Sequence, residues 1–174
     1  ILRSLYTKKL YQLSRKSVVI ASTPLYHTLA QRLIILPIMM GGTSVILSGF
    51  SIKKWCREVK KNKVTFSILV SSQLENLVNY NKNIFNKLKS LKTIVSSSAT
   101  LEKSAKEKIK KLKFPKFFEI YGTSEIANIT NIRINQKLKK INSIGKECKF
   151  ASIKIINDKN KFQKVGEPGE IICK

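Results

Sequence analysis

"VTFSILVSSQLENLVNY", Val64 to Tyr80, changes texture halfway. Its first half is β-rich and nearly all apolar, as in a strand covered on both faces. Its second half, "SQLENLVNY", reads as a helix. The same switch recurs on either side. "SVVIAST" (17–23) is an apolar run of strand length, and helical "YHTLAQRLIILPIMM" (26–40) follows it, with a kink or start expected at Pro37. "TSVILSG" (43–49) is a strand, and Ser51 caps a helix carrying Ile52, Trp55, Cys56 and Val59 at i, i+3, i+4, i+7, with Asn62 at its end. "LKTIVSS" (91–97) is a further strand. Thr100 is the expected cap of a helix striped by Leu101, Ala105, Ile109 and Leu112, and "KFFEIYG" (116–122) is again a strand.

Strands this apolar, alternating with helices, imply an α/β fold: a mostly parallel sheet with helices on both faces and right-handed crossovers. After Glu125 the helical stripes fade. "NITNIRI", "ASIKIIND" and "GEIICK" are short runs between turn residues, so a smaller, more antiparallel β element is expected. The expected division is an α/β nucleotide- and acyl-binding part over 1–127 and the start of a β-rich subdomain over 128–174. The first residue is Ile1 and the last lies inside a strand pattern, so both ends read as cuts.

Hydrophobic residues make up 43% of the 174, enough to bury a core and exclude whole-chain disorder. Lys and Arg number 34 against 10 Asp and Glu, a net charge of +24. Charge of this size raises nucleic acid as a partner. The excess is mostly Lys, spread along the whole chain, with no basic tail and no basic box interleaved with aromatics. It reads as solvated faces, and no specific nucleic acid is expected. Cys56, Cys148 and Cys173 are far apart and distant from the single His27, which indicates neither a disulfide framework nor a zinc site and fits a reducing, cytoplasmic compartment. The opening residues, with Leu2, Leu5, Tyr6 and Leu13, read as an amphipathic helix rather than a signal peptide.

One uncharged run, Leu33 to Phe50, reaches the 18 residues of a membrane-span candidate. Pro37, Gly41, Gly42 and Gly49 interrupt it. A buried helix, a Gly-Gly turn and a short buried strand explain it better. Peripheral membrane contact stays open, and the residues say nothing of oligomeric state.

The chemistry is expected where parallel strands end, because ligands of open α/β sheets sit beyond the carboxyl ends of the strands. "KFFEIYG" ends at Gly122, followed by Thr123, Ser124 and Glu125. Gly122 permits close backbone approach. Ser124 offers a hydroxyl to a phosphate oxygen, and Glu125 is a hard oxygen ligand suited to Mg2+ held together with substrate phosphates. Tyr121 offers a ring to a base. From the spacing alone an ordinary turn is the favoured reading. A second strand end, Ser96, Ser97, Ser98 and Ala99, carries small residues that leave the backbone accessible to a flat ligand, and the two ends would lie side by side in a parallel sheet.

"STPLYHT", "GGTSVIL", "KVTFSILVSS", "LKTIVSSSATL", "EIYGTSE", "NSIGKE" and "VGEPGEIICK" occur in the order and spacing of the AMP-forming adenylating enzymes, and over nearly its whole length the chain resembles the central part of their large domain. "YGTSE" is the most specific of these pieces. The resemblance implies an acid–thiol ligase of the acyl-CoA synthetase type. A carboxylate attacks the α-phosphate of ATP to give an acyl-adenylate and pyrophosphate, and a thiol, usually that of coenzyme A, takes the acyl group. It implies ATP, Mg2+ and coenzyme A. Tyr121 would stack on adenine, Gly122 would leave room for the nucleotide, Ser124 would contact the α-phosphate and Glu125 would hold Mg2+. Ser97, Ser98 and Ala99 would line the adenine and acyl pocket, and His27 would stand beside the acyl group. From the residues alone, His27 reads as a satisfied helix-start residue.

Three departures from the family pattern matter. Ser97 and Ser98 stand where glycines are usual, Thr100 where Pro is usual, and their bulk narrows the pocket. The family's phosphate loop ending in Lys would precede Ile1. Its ribose-binding Asp and C-terminal catalytic Lys would follow Lys174, since Asp158 in "INDKNK" reads as a hairpin turn. A fatty or other apolar acid is the expected substrate, and the fragment alone is expected to be inactive. The alternatives are an adenylation domain for an aryl or amino acid, a non-catalytic remnant of the fold and, distantly, a basic nucleic-acid-binding module.

Overall fold

The computed structural model describes residues 2–81 and 83–174. In chain order these are α1 (Leu2–Leu10), β1 (Val18–Ala21), α2 (Thr28–Met40), β2 (Thr43–Ile46), α3 (Ile52–Lys61), β3 (Phe66–Val70), α4 (Ser71–Tyr80), β4 (Thr93–Ser97), α5 (Lys103–Lys110), β5 (Lys116–Thr123), β6 (Ala127–Ile134), β7 (Lys146–Glu147), β8 (Ile153–Ile156) and β9 (Glu170–Cys173). A single 3-10 turn, Phe85–Lys87, precedes β4.

The strands form a seven-stranded sheet in the order β2-β1-β3-β4-β5-β6-β7 and a separate antiparallel pair, β8-β9. Pairing is parallel from β2 through β5 and antiparallel at β5/β6 and β6/β7. This is the expected α/β architecture, with its smaller antiparallel element.

Side-chain alternation along the strands divides the core into two layers. Ile20, Leu69, Ile94 and Phe117 face Trp55 and Val59 of α3, Leu74 and Leu77 of α4, and Ile109 of α5. Val19, Ala21, Ile68, Val95 and Ile120 face Leu29, Leu33 and Leu36 of α2, together with Tyr11 and Leu13. Successive strand residues point to opposite faces, so near-continuous apolar strands are what a doubly covered sheet requires.

Most local signals hold. The Ser51 hydroxyl accepts from the Lys54 N–H at 3.3 Å, and Asn62 ends α3, its amide donating to the Glu58 carbonyl at 3.1 Å. Leu33–Phe50 divides into the rest of α2, a left-handed stop at Gly41 (φ +68°) and β2. Pro37 lies inside the last turn of α2, which begins at Thr28 rather than at the proline. No helix among the described residues is long and apolar enough to cross a membrane.

Four expectations need correction. The strand β2 is an edge, not buried: Ile46 is 51% exposed because β1 covers only one side of it. Leu5 is 49% exposed, and Tyr11 and Leu13, just beyond α1, are buried instead. Leu101 and Leu112 lie outside α5, although both still join the core. Thr100 does not cap α5, whose cap position is Glu102. Two carboxylates from elsewhere in the fold take the N–H groups there: Glu119 accepts from Leu101 at 2.8 Å and Glu75 from Glu102 at 2.9 Å. Ser51→Ala is therefore expected to cost about 1 kcal/mol in urea unfolding, whereas Thr100→Ala changes stability by less than about 0.5 kcal/mol. Equal costs would contradict this assignment of the caps.

Candidate active site

The parallel register of β4 and β5 builds the site. Thr93 pairs with Lys116 and Ser96 with Glu119, so both strands end at the same edge of the sheet. Past that rung the two chains diverge. The β4 chain turns away through Ser97, Ser98, Ala99 and Thr100, with Ser98 at φ +78°. The β5 chain runs on to Thr123, pairing with β6 across a register shift between Tyr121 and Gly122. A bulge of this kind bends a strand and re-aims its side chains. The tip of the hairpin, Ser124 to Ile126, closes with the Thr123 hydroxyl accepting from the Ile126 N–H at 3.2 Å.

Between these ends lies a cleft of about 270 Å³. Ser97 and Ser98 line it from β4, and Gly122, Thr123 and Ser124 from the β5 hairpin. Thr28, Leu29 and Arg32 come from α2, Ile120 from β5 and Asn128 from β6. The Thr28 and Ser124 hydroxyls are 3.1 Å apart, joining the start of α2 to the tip of the hairpin across 96 residues of chain.

The structure thus brings Ser97, Ser98, Gly122 and Ser124 into one described wall. Ala99, Tyr121, Glu125 and His27 are exposed and stand one residue along the chain from a lining residue. His27 occupies the N-cap position of α2 without a side-chain capping bond, its ring 4.5 Å from that of Tyr26.

Three polar lining residues, Thr28, Arg32 and Asn128, and the apolar Leu29 and Ile120 were missed in the sequence. Arg32 had a signal, as the single charge in "YHTLAQRLIILPIMM". Asn128 had none, because its place depends on the antiparallel return of β6. Behind the wall, burial holds the Tyr11 phenol well above its usual pKa, with the Arg32 charge opposing. Tyr11 therefore stays neutral and donates to the Asn131 side-chain oxygen at 3.1 Å.

The donor set suits a polyanion. Hydroxyls from two strand ends and a guanidinium face one space, and a carboxylate flanks the tip of the hairpin. Among the described residues no three His, Cys, Asp or Glu side chains cluster into an all-protein cage. A single carboxylate such as Glu125 fits Mg2+, which takes one or two protein carboxylates and completes its shell with substrate phosphates and water.

Comparison with known proteins gives the family and the fold. An indoleacetate–CoA ligase of Aromatoleum aromaticum is 23% identical over 95% of this chain, and a medium/long-chain-fatty-acid–CoA ligase of Mycobacterium tuberculosis is 25% identical over 77% of it. The matches span only 32% and 24% of those relatives' own lengths. The fold is that of the o-succinylbenzoate coenzyme A synthetase of Bacillus subtilis, solved in complex with ATP and magnesium. The TM-score is 0.88 at 20% identity, over 99% of this chain and 36% of that one. The family model described as AMP-binding enzyme matches residues 1–174, and this chain belongs to that family.

Proposed function

We propose that this chain is the nucleotide- and acid-binding part of an AMP-forming acid–thiol ligase, which activates a carboxylic acid with ATP and passes it to coenzyme A. The observation that carries this reading is the meeting of two hydroxyl-rich strand ends, Ser97–Ser98 and Gly122–Ser124, on one cleft. In this reading Tyr121 stacks on adenine, and Gly122 lets the nucleotide approach the backbone. Ser97, Ser98 and Ala99 border the adenine and acyl groups, and His27 stands at the acyl side, next to Thr28.

Ser124 donates to the α-phosphate, and Glu125 holds Mg2+. The ion supplies charge neutralisation at the phosphate oxygens. The protein's own contribution is orientation: it holds the acid carboxylate and the α-phosphate in contact where fixed donors meet the developing charge. Likeness to the two CoA ligases supports coenzyme A as the acceptor.

The cleft lining is mostly polar, and the preference for a fatty or other apolar acid rests on the apolar sequence of α2, "LIILPIMM". An aryl acid is the second reading, on the likeness to an indoleacetate–CoA ligase. Three unpaired cysteines favour a reducing, cytoplasmic setting. The chain spans about a third or less of the length of the curated relatives it matches, and turnover is assigned to the complete protein.

Glu125→Ala in the complete protein is expected to reduce acid-dependent ATP–pyrophosphate exchange by about 100-fold or more. Exchange at the parental rate in that variant would end the metal role. Ser98 holds a left-handed backbone at φ +78°, which costs an L-residue about 1–2 kcal/mol, partly offset by the greater unfolded-state entropy of glycine. Ser98→Gly is therefore expected to stabilise by roughly 0.5–1 kcal/mol, raise Tm by about 1–4 °C and lower the KM for ATP. A lower Tm would show that the conformation carries no strain.

A further inference from the structure

A buried ion pair lies on the α5 side of the sheet, next along β5 to Ile120 of the cleft lining. Lys106 Nζ of α5 is 2.6 Å from Glu119 Oε2 of β5, with the two side chains 1% and 2% exposed. The other carboxylate oxygen, Oε1, accepts from the Leu101 N–H at 2.8 Å. Glu119 is also the register partner of Ser96, in the last paired rung before β4 and β5 separate. One side chain therefore ties together the strand below Tyr121, the helix after the β4 loop and the far end of that loop.

The loop is closed from both directions. It leaves the sheet through Ser97 and returns at Leu101, whose own side chain is buried. The next N–H, that of Glu102, goes to Glu75 of α4 at 2.9 Å. Between these anchors Ser98, Ala99 and Thr100 are exposed, and Ser98 has the left-handed backbone. Such a conformation persists only where the surroundings over-determine it.

Stability alone does not account for the pair. Burial deprives both charges of their hydration, and an apolar pair of similar volume is often as stable. The Glu119 carboxylate is held at both oxygens, by the Lys106 charge at one and by the Leu101 N–H at the other, and that fixes one geometry.

We propose that Glu119 and Lys106 are positioning residues, which hold the Ser97–Thr100 loop at the height where it borders the nucleotide. Lys106 fixes the Glu119 carboxylate, Glu119 fixes the Leu101 amide, and the amide fixes the loop. Neither side chain touches the ligand. The inference rests on the reading of the cleft as an ATP site.

The test uses two double variants of the complete protein. E119L/K106M replaces the pair with apolar side chains, and E119Q/K106M removes both charges but keeps an acceptor for the Leu101 N–H. The apolar pair is expected to melt within about 3 °C of the parent. Its Leu101 amide should exchange hydrogen about tenfold faster or more, and its KM for ATP should rise about tenfold with kcat for ATP–pyrophosphate exchange changed less than about threefold. E119Q/K106M should recover slow exchange and most of the affinity. Should E119L/K106M not fold, E119D keeps both charges but shortens the reach, and the same rise in KM is expected.

Faster Leu101 exchange with an unchanged KM for ATP overturns the proposal, and so does an E119Q/K106M variant as impaired as the apolar one. A parent protein without ATP–pyrophosphate exchange brings down the ligase reading and the ATP claim built on it. Leu101 exchange still judges the clamp in that case, and an unchanged rate in E119L/K106M overturns it.

Discussion

Everything at the site depends on the parallel register of β4 against β5. Four rungs, from Thr93/Lys116 to Ser96/Glu119, bring two chains separated by a whole helix to one edge of the sheet in step. A slip of one residue would turn every side chain of a strand to the opposite layer. Were β5 to slip, Phe117 would leave the α3–α5 side and Ile120 the α2 side, and both packed layers would be disrupted. Burial on both faces thus sets the register, and the register sets the spacing of the two strand ends. The site is a consequence of the core.

Acidic residues are few in this chain, and several of them work at this edge. Glu119 and Glu75 hold the backbone where the β4 loop enters α5. Glu125 stands at the hairpin tip beside the lining residue Ser124. The abundant lysines lie mostly on solvated faces, where a charge costs little and is screened within about 8–10 Å. Among the described residues Lys106 is the exception, buried against Glu119. The overall charge of +24 therefore describes the surface, while the local electrostatics of the site are set by a few fixed pairs.

How much could be read from the residues follows the range of the interactions. β1, β3, β4 and β5 were legible because a doubly covered strand must be apolar throughout. The Ser51 cap was legible because donor and acceptor lie three residues apart. The backbone anchors ahead of α5 were not, because the carboxylates that accept from Leu101 and Glu102 come from 18 and 27 residues away. Lys106, in a Lys-rich helix, gave no sign of burial, because its partner is on another element. At the site, "YGTSE" and "SSSAT" were legible as strand ends. That the first becomes a bulged hairpin with β6, bringing Asn128 to the cleft, depended on long-range pairing. Arg32 and Thr28 reach the cleft because α2 packs on the sheet at β1, and of the two only Arg32, as the single charge of its helix, carried a local signal.

The central claim is that nucleotide binds where β4 and β5 end. A crystal structure of the complete protein with ATP and Mg2+ tests it most directly. Adenosine and the α-phosphate are expected between Ser97–Ala99 and Tyr121–Glu125, with the metal on the Glu125 carboxylate. A nucleotide ordered elsewhere on the sheet, with the Glu125 carboxylate remote from the metal, would contradict it.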